Sequence, residues 1–498
     1  MIACFFYSII LSSHLSYTHD IVNMWDRLSI MGIFYWAYCI AAILVMVNVV
    51  LKNRDSVKTL AWVMVLLFLP FLGILLYFFF GRDTRKAKLI GRRLHSQIKQ
   101  HDYRMSVSQG GGDIPLEYSS LVSFFDNSAA SYMLNADSVK VISSGSYFAE
   151  QLLTELEKAR HHIHVQFYIV EDDEFGRAFR DVLIKKAKEG VEVRLIYDSV
   201  GCWSVKKRFY EEMRCAGIYV ESFLKVRFPL FTNKMNYRNH RKIVVIDGMT
   251  GFVGGYNIAD RYVKGVAWGV WRDTMLLVRG AAVQGLQSSF LVDWYFANRS
   301  LVSGALYYPQ KEYAAGGVQL QVVPSNPVGE IRTIMGGLVK LLSVSRNYVY
   351  LQTPYLMPNE SFMQALKNAA VSGVDVRLMV PEKSDNRFTD YATKSYFGDL
   401  LNAGVKIYLY NRGFLHSKSV VCDDYVSSVG SANLDFRSFF YNFEVTAFVY
   451  DKSVAHELKR CFIEDISNSR QLTIGEFRAR SLWQRCLESV ARLFSPLL

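Results

Sequence analysis

Beyond residue 113 this chain says the same thing twice, and that repetition limits what it can fold into. His164-Val-Gln-Phe-Tyr168 is echoed by Tyr350-Leu-Gln-Thr-Pro354, with Gln166 against Gln352. A helix-like stretch follows each, Phe175–Glu189 and Glu360–Ser372. Gly190-Val-Glu-Val-Arg-Leu195 then matches Gly373-Val-Asp-Val-Arg-Leu378, and Ala216-Gly-Ile-Tyr-Val220 matches Ala403-Gly-Val-Lys-Ile407. Strand, helix, glycine turn and strand recurring in order predict α/β units with mostly parallel sheets. The second strand of each unit is a continuous apolar run, as in a strand buried on both faces. We expect two like α/β/α halves, 113–300 and 301–498, forming one site at their interface.

The third repeat carries the chemistry. Asn239-His240-Arg241-Lys242-Ile-Val-Val-Ile-Asp247 contains His-x-Lys-x4-Asp, and His416-Ser-Lys418-Ser-Val-Val-Cys-Asp423 contains it again. Side chains alternate along a strand, so His240 and Lys242 share a face, as do His416 and Lys418. Brought together, the halves offer two imidazoles and two ammonium groups around one point, which suits a phosphodiester. The lysines neutralise the non-bridging oxygens as charge builds. One neutral imidazole attacks phosphorus and the other, protonated, serves the leaving alkoxide. This chemistry calls for no metal and no cofactor.

A turn and a further strand follow each motif: Phe252-Val-Gly-Gly-Tyr-Asn257 and Val429-Gly-Ser-Ala-Asn433. Small residues there let a phosphate approach the backbone, and Asn257, Ser431 and Asn433 are candidate phosphate-binding donors. Trp271-Arg-Asp273 and Asn442-Phe-Glu444 supply one carboxylate per half, suited to fixing a histidine's tautomer. Asp247 and Asp423, grouped with the catalytic residues, either orient an imidazole or end the strand.

Upstream lie two uncharged apolar runs, about 31–51 and 59–80, each near the ~20 residues needed to cross a bilayer. Their short connector predicts an antiparallel transmembrane hairpin within 30–81. Residues 82–112 form a basic collar and linker, rich in Arg and Lys. The positive-inside rule then places the catalytic region on the cytoplasmic side of the inner membrane. Residues 1–29 read as an N-terminal extension that neither spans nor carries the basic start of a signal peptide. The net charge of +12 requires an anionic partner, nucleic acid or anionic lipid. Seven cysteines without a C-x-x-C pair favour reduced thiols. At the C-terminus, Leu482, Cys486, Val490 and Leu493 fall at helical spacing, predicting an amphipathic helix lying against either the core or a membrane.

The paired motifs, with Gly254-Gly255-x-Asn257 and Gly430-Ser431-x-Asn433, resemble the phospholipase D superfamily. Asn236-Tyr-Arg-Asn-His-Arg-Lys242, Leu69-Pro-Phe-Leu-Gly73 and Arg492-Leu-Phe-Ser-Pro-Leu-Leu498 extend the resemblance to bacterial cardiolipin synthases over nearly everything after residue 30. The resemblance implies transfer of a phosphatidyl group from one phosphatidylglycerol to another, releasing glycerol. It also implies His240 as nucleophile, His416 as general acid, and Asp273 and Glu444 as orienting groups. Anionic membrane lipid, not nucleic acid, is then the expected partner. A nuclease of the same superfamily and a hydrolytic phospholipase D share the motifs, and a non-catalytic membrane scaffold shares the hairpin.

Overall fold

The structure, a computed structural model of the chain, describes residues 36–51, 56–69, 71–77, 114–129, 131–225, 237–309 and 317–497. The chain divides into two compact units, Met1–Lys88 and Leu89–Leu498.

In the first unit a helix over 36–51 packs against the helix Ser56–Phe68. Val49, Leu66 and Tyr77 are buried between them, and the Tyr38 hydroxyl donates to the Leu66 carbonyl at 3.1 Å. Trp36, Leu44, Leu51, Leu60 and Phe68 point outward and are exposed. The second apolar run is not one helix. It stops at Phe68, two residues before Pro70, where pre-proline sterics disfavour helix, and resumes as Leu72–Leu76 after Phe71 at φ 61°. No helix among the described residues is long and apolar enough to cross a membrane. The two expected spans are therefore seen only as these shorter helices. Their ends at 31–35 and 78–80, the extension 1–29 and the collar 82–112 lie outside the described residues.

The second unit contains the two halves as two sheets. In the first, the strands run edge to edge as Ser138–Ile142, Met275–Arg279, Thr250–Gly254, Ile243–Ile246, His162–Phe167, Glu192–Asp198 and Tyr219–Phe223. The second repeats that order with Val318–Ser325, Glu444–Tyr450, Val426–Gly430, Ser419–Cys422, Tyr348–Gln352, Asp375–Pro381 and Lys406–Tyr410. It gains an edge strand on either side, Leu134–Ala136 and Ser469–Leu472. Both sheets are mixed, which corrects the expectation of mostly parallel ones. Only the joins made by the glycine-turn units, such as His162–Phe167 with Glu192–Asp198 and that strand with Tyr219–Phe223, are parallel. The motif strands cannot join that way. Asp247 and Gly248, at φ 52° and 68°, turn the chain straight back into Thr250–Gly254, and so short a loop makes only an antiparallel hairpin. Asp423 and Asp424, at φ 49° and 54°, do the same in the second half.

Alternation along the motif strand shows how the layers stack. Val244 and Ile246 face a core shared with the helices Gly145–Glu157 and Glu174–Lys188. Ile243 and Val245 face a second core that also holds Val421, Val429 and Val445 of the other sheet. The two sheets thus share one apolar layer, which the helices Val283–Asn298 and Lys452–Ile466 also enter through Leu286 and Leu458, and the matching ends of both motif strands come together. The helix Leu116–Ala129 and strand Leu134–Ala136, numbered with the first half, pack on the second: Leu121 and Phe125 lie in its outer core.

Candidate active site

His240 and His416 stand where the chain enters the strands Ile243–Ile246 and Ser419–Cys422. Each is held by the backbone of the opposite half. The His240 N–H donates to the Phe443 carbonyl at 2.9 Å, and the Phe443 N–H returns a bond to Arg238 at 2.8 Å. The His416 N–H donates to the Arg272 carbonyl at 2.7 Å, within a parallel pairing of Gly413–Leu415 with Val270–Arg272. The residue after each of these carbonyls is a carboxylate, so the orienting groups cross over. Glu444 of the second half lies 3.1 Å from His240 Nδ1, and Asp273 of the first lies 2.5 Å from His416 Nδ1. Both carboxylates are fully buried. With Nδ1 engaged, each imidazole keeps Nε2 for chemistry. Lys242 Nζ donates to the His240 carbonyl at 2.6 Å, and Lys418 Nζ donates likewise to the His416 carbonyl, so each ammonium sits beside its own histidine.

Burial governs the protonation of this cluster. It lowers Lys242 to about 7, against the pull of Glu444 and with a push from Lys418. It lowers Lys418 to about 8, against Asp273 and Glu444. Burial and Lys418 bring His416 down to about 3, outweighing Asp273. Burial also lowers His240, opposed by Glu444. For Asp273 and Glu444 burial acts upward, but the neighbouring lysine and histidine outweigh it, and both carboxyls stay below their ordinary range. At neutral pH the site therefore holds two neutral imidazoles between two ionised carboxylates.

The imidazoles open into a cavity of about 660 Å³. Tyr168 stands edge-on to His240 at 5.0 Å between ring centres, and Trp271 and Tyr262 flank His416 at 5.2 and 5.9 Å. Arg261 and Arg437 line the same space, each four residues after its half's asparagine. That Asn-x3-Arg repeat was a sequence signal for both. Arg261 is ion-paired with Glu171 at 2.6 Å. Asn442 also lines the cavity and was missed, although its place two residues before Glu444 puts the two on one face.

The structure reassigns several of the expected residues. Asp247 is not beside His240: seven residues of extended chain separate them, on the order of 20 Å. Its carboxylate accepts from the backbone N–H groups of Arg160, His161 and His162 at 2.8, 2.8 and 3.0 Å. Asp423 does the same for Arg346, Asn347 and Tyr348 at 2.7, 2.8 and 2.8 Å. Both aspartates anchor the entry to the neighbouring strand, and their grouping with the catalytic residues is corrected. The Ser431 hydroxyl donates to Glu444 and is wholly buried, so it braces that carboxylate rather than facing phosphate. At the equivalent Gly255 a Cβ would lie 1.9 Å from Asp273 Oδ1, so glycine makes room for the first half's carboxylate. Asn257 lines the cavity, yet its oxygen accepts from Ile169 N–H and its amide donates to Tyr262, at 3.1 and 2.5 Å. Asn433 and Asn442 donate their NH₂ groups to Asp435 and Glu444, at 3.1 and 3.0 Å. This leaves each with a buried carbonyl oxygen that has no hydrogen-bond partner. The Asn433 amide group is thus engaged by Asp435 and is not free for the expected donation to phosphate.

Comparison with known proteins agrees with this geometry. The family described as cardiolipin synthase, PLD-like domain, matches residues 152–294 and 338–466, and the phospholipase D-nuclease N-terminal family matches 40–82. The chain is 40% identical over 486 residues to the major cardiolipin synthase ClsA of Bacillus subtilis, covering 95% of this chain and 100% of that protein. It is 40% identical to cardiolipin synthase 2 of Bacillus anthracis, covering 93% and 91%. Among solved structures, phosphatidylserine synthase of Haemophilus influenzae shares the fold, with a TM-score of 0.59 at 14% identity, over 76% of this chain and 98% of that one. The N-terminal match and the relatives mark a membrane-associated protein. With duplicated halves, crossed carboxylates and near-full-length kinship, the chain belongs to the cardiolipin synthase family of the phospholipase D superfamily.

Proposed function

We propose that this protein joins two phosphatidylglycerol molecules into cardiolipin and glycerol through a phosphohistidine on His240. His240 Nε2 attacks the phosphorus of the first lipid. The bond from phosphorus to the head-group glycerol breaks, and His416 gives that oxygen its proton. The primary hydroxyl of a second phosphatidylglycerol then yields its proton to His416 and attacks phosphorus, breaking the P–N bond. Lys242 and Lys418 carry the charge on the non-bridging oxygens. The observation that carries this reading is the reciprocal pairing of each imidazole with a carboxylate of the other half. Glu444 takes the Nδ1 proton of His240 as a hydrogen bond and leaves a neutral nucleophile. Burial depresses His416 most and the two lysines add to it; a bound phosphate anion offsets the lysines and so shifts His416 toward the protonated form that a general acid needs.

In the same reading, the helices of 36–76 anchor the protein in the cytoplasmic membrane. The basic run after residue 81 keeps the catalytic unit on the cytoplasmic side.

The test is mass analysis of lipids after purified enzyme meets phosphatidylglycerol alone, with a chelator present. Cardiolipin is expected, and added glycerol should drive it back to phosphatidylglycerol. Phosphatidic acid as the main product would indicate hydrolysis instead. A strict need for a cytidine-activated lipid would overturn the mechanism.

A further inference from the structure

The helix Leu482–Phe494 is built inside out. A helix on a water-soluble surface turns its apolar side to the core. Here Leu482, Trp483, Val490 and Leu493 are 76, 72, 50 and 77% exposed, while Ala491 and Glu488 are buried. Cys486 and Phe494 complete the outward face. On the inward side Glu488 is ion-paired with Arg480 and accepts from Gln484 at 3.0 Å.

The helix is fastened in this orientation. Ser481 caps its start. Arg492 pairs with Asp399 at 3.1 Å, donates to the Ser395 carbonyl at 3.1 Å and lies over the Tyr396 ring at 4.4 Å. Phe494 meets Phe388 with ring centres 5.8 Å apart. Phe388 belongs to the helix Arg387–Lys394, and Asp385, Asn386 and Thr389, at and beside its start, line the catalytic cavity. The apolar face therefore continues from the rim of the site. Arg485 is exposed on the helix's flank, on the same edge as Arg492.

We infer that this face docks the rim of the catalytic cavity onto a bilayer containing anionic lipid. Trp483, Leu482 and Leu493 enter the boundary between head groups and acyl chains, and Arg485 meets lipid phosphates. Two observations select this occupant. The face adjoins the opening through which a lipid substrate must pass, and the charge beside it is basic. The inference rests on the reading of the substrate as a bilayer lipid.

The full-length protein is placed in vesicles of phosphatidylcholine and phosphatidylglycerol carrying bromine on the acyl chains. The fluorescence difference between the protein and its Trp483→Phe variant isolates Trp483. Quenching of that difference is expected, and its absence overturns the inference. The double variant Leu482→Glu, Leu493→Glu should lose about tenfold or more in turnover of bilayer phosphatidylglycerol, because moving an apolar side chain from lipid to water exceeds one decade in partitioning. Turnover of monomeric short-chain phosphatidylglycerol should not change. Equal loss on both substrates, or loss on neither, overturns the docking role. A concentration-dependent dimer in detergent that shields Trp483 assigns the face to a second copy and also overturns it. If the unaltered enzyme transfers phosphatidyl groups on neither substrate, the catalytic reading fails, while the quenching result still decides the docking.

Discussion

Burial strips water from both buried ammonium groups and lowers Lys242 to about 7 and Lys418 to about 8. Below those values the lysines are charged and hold a phosphate; above them the charge is gone. Since kcat/KM follows the free enzyme, it should fall as pH rises through 7 to 8, not near the 10.5 of an ordinary lysine. The check is a pH series at low substrate. Lys242→Arg, which stays charged, should carry its activity further into the alkaline range at a lower rate. The aspartates give a second contrast. Asp273→Asn loses the group that fixes the His416 tautomer and should cost about 10³-fold or more in kcat. Asp247→Asn touches no reacting atom, and kcat should stay within a few-fold. It weakens charge-assisted bonds to three backbone N–H groups, so denaturant melts should show about 1–3 kcal/mol lost. Large loss of kcat with unchanged stability in Asp247→Asn would return that residue to the chemistry.

At the scale of elements, most of what a strand does locally was legible. The glycine-turn repeats gave the parallel units, and helices appear at Glu174–Lys188 and Glu360–Val371, within a residue of where the pattern put them. The histidines and lysines were legible because a two-residue spacing on a strand is a statement about one face. The sequence leaves Asp247 open between orienting an imidazole and ending the strand, although an odd offset along seven extended residues points to the opposite face and the far end. The crossed carboxylates were not legible. Glu444 finds His240 only because Phe443 pairs with the other half's backbone, and no local pattern encodes a partner two hundred residues away. The sheet type was missed because the repeat units were weighed more heavily than the Asp-Gly turn between them. In the C-terminal helix, periodicity gave the stripe, but which way the stripe faces is decided by its anchors, Arg480 just before its start and Asp399 and Phe388 from elsewhere in the chain.

For the whole molecule, the two halves share an apolar layer, and their ties are reinforced by a buried ion pair and buried arginine hydrogen bonds. Arg272 of the first half meets Asp465 of the second at 2.9 Å, and Arg241 reaches the Glu444 and Ser325 carbonyls at 3.0 and 3.1 Å. Separating the halves would expose that layer and leave these buried charged groups without their partners. One site is therefore made within one chain. Mixing purified His240→Ala and His416→Ala proteins in the same vesicles should restore no cardiolipin synthesis, and recovery of activity would mean that halves swap between copies. The crossed arrangement also carries a consequence for the protein as it is being made. Ribosomal synthesis delivers His240 long before Glu444, and Asp273 before His416. Until the strand Glu444–Tyr450 has been added and docked, the first imidazole has no fixed tautomer and no acid beside it. A nascent chain already lying at the membrane is thus inert toward the lipids around it, and becomes reactive only when its last sheet closes.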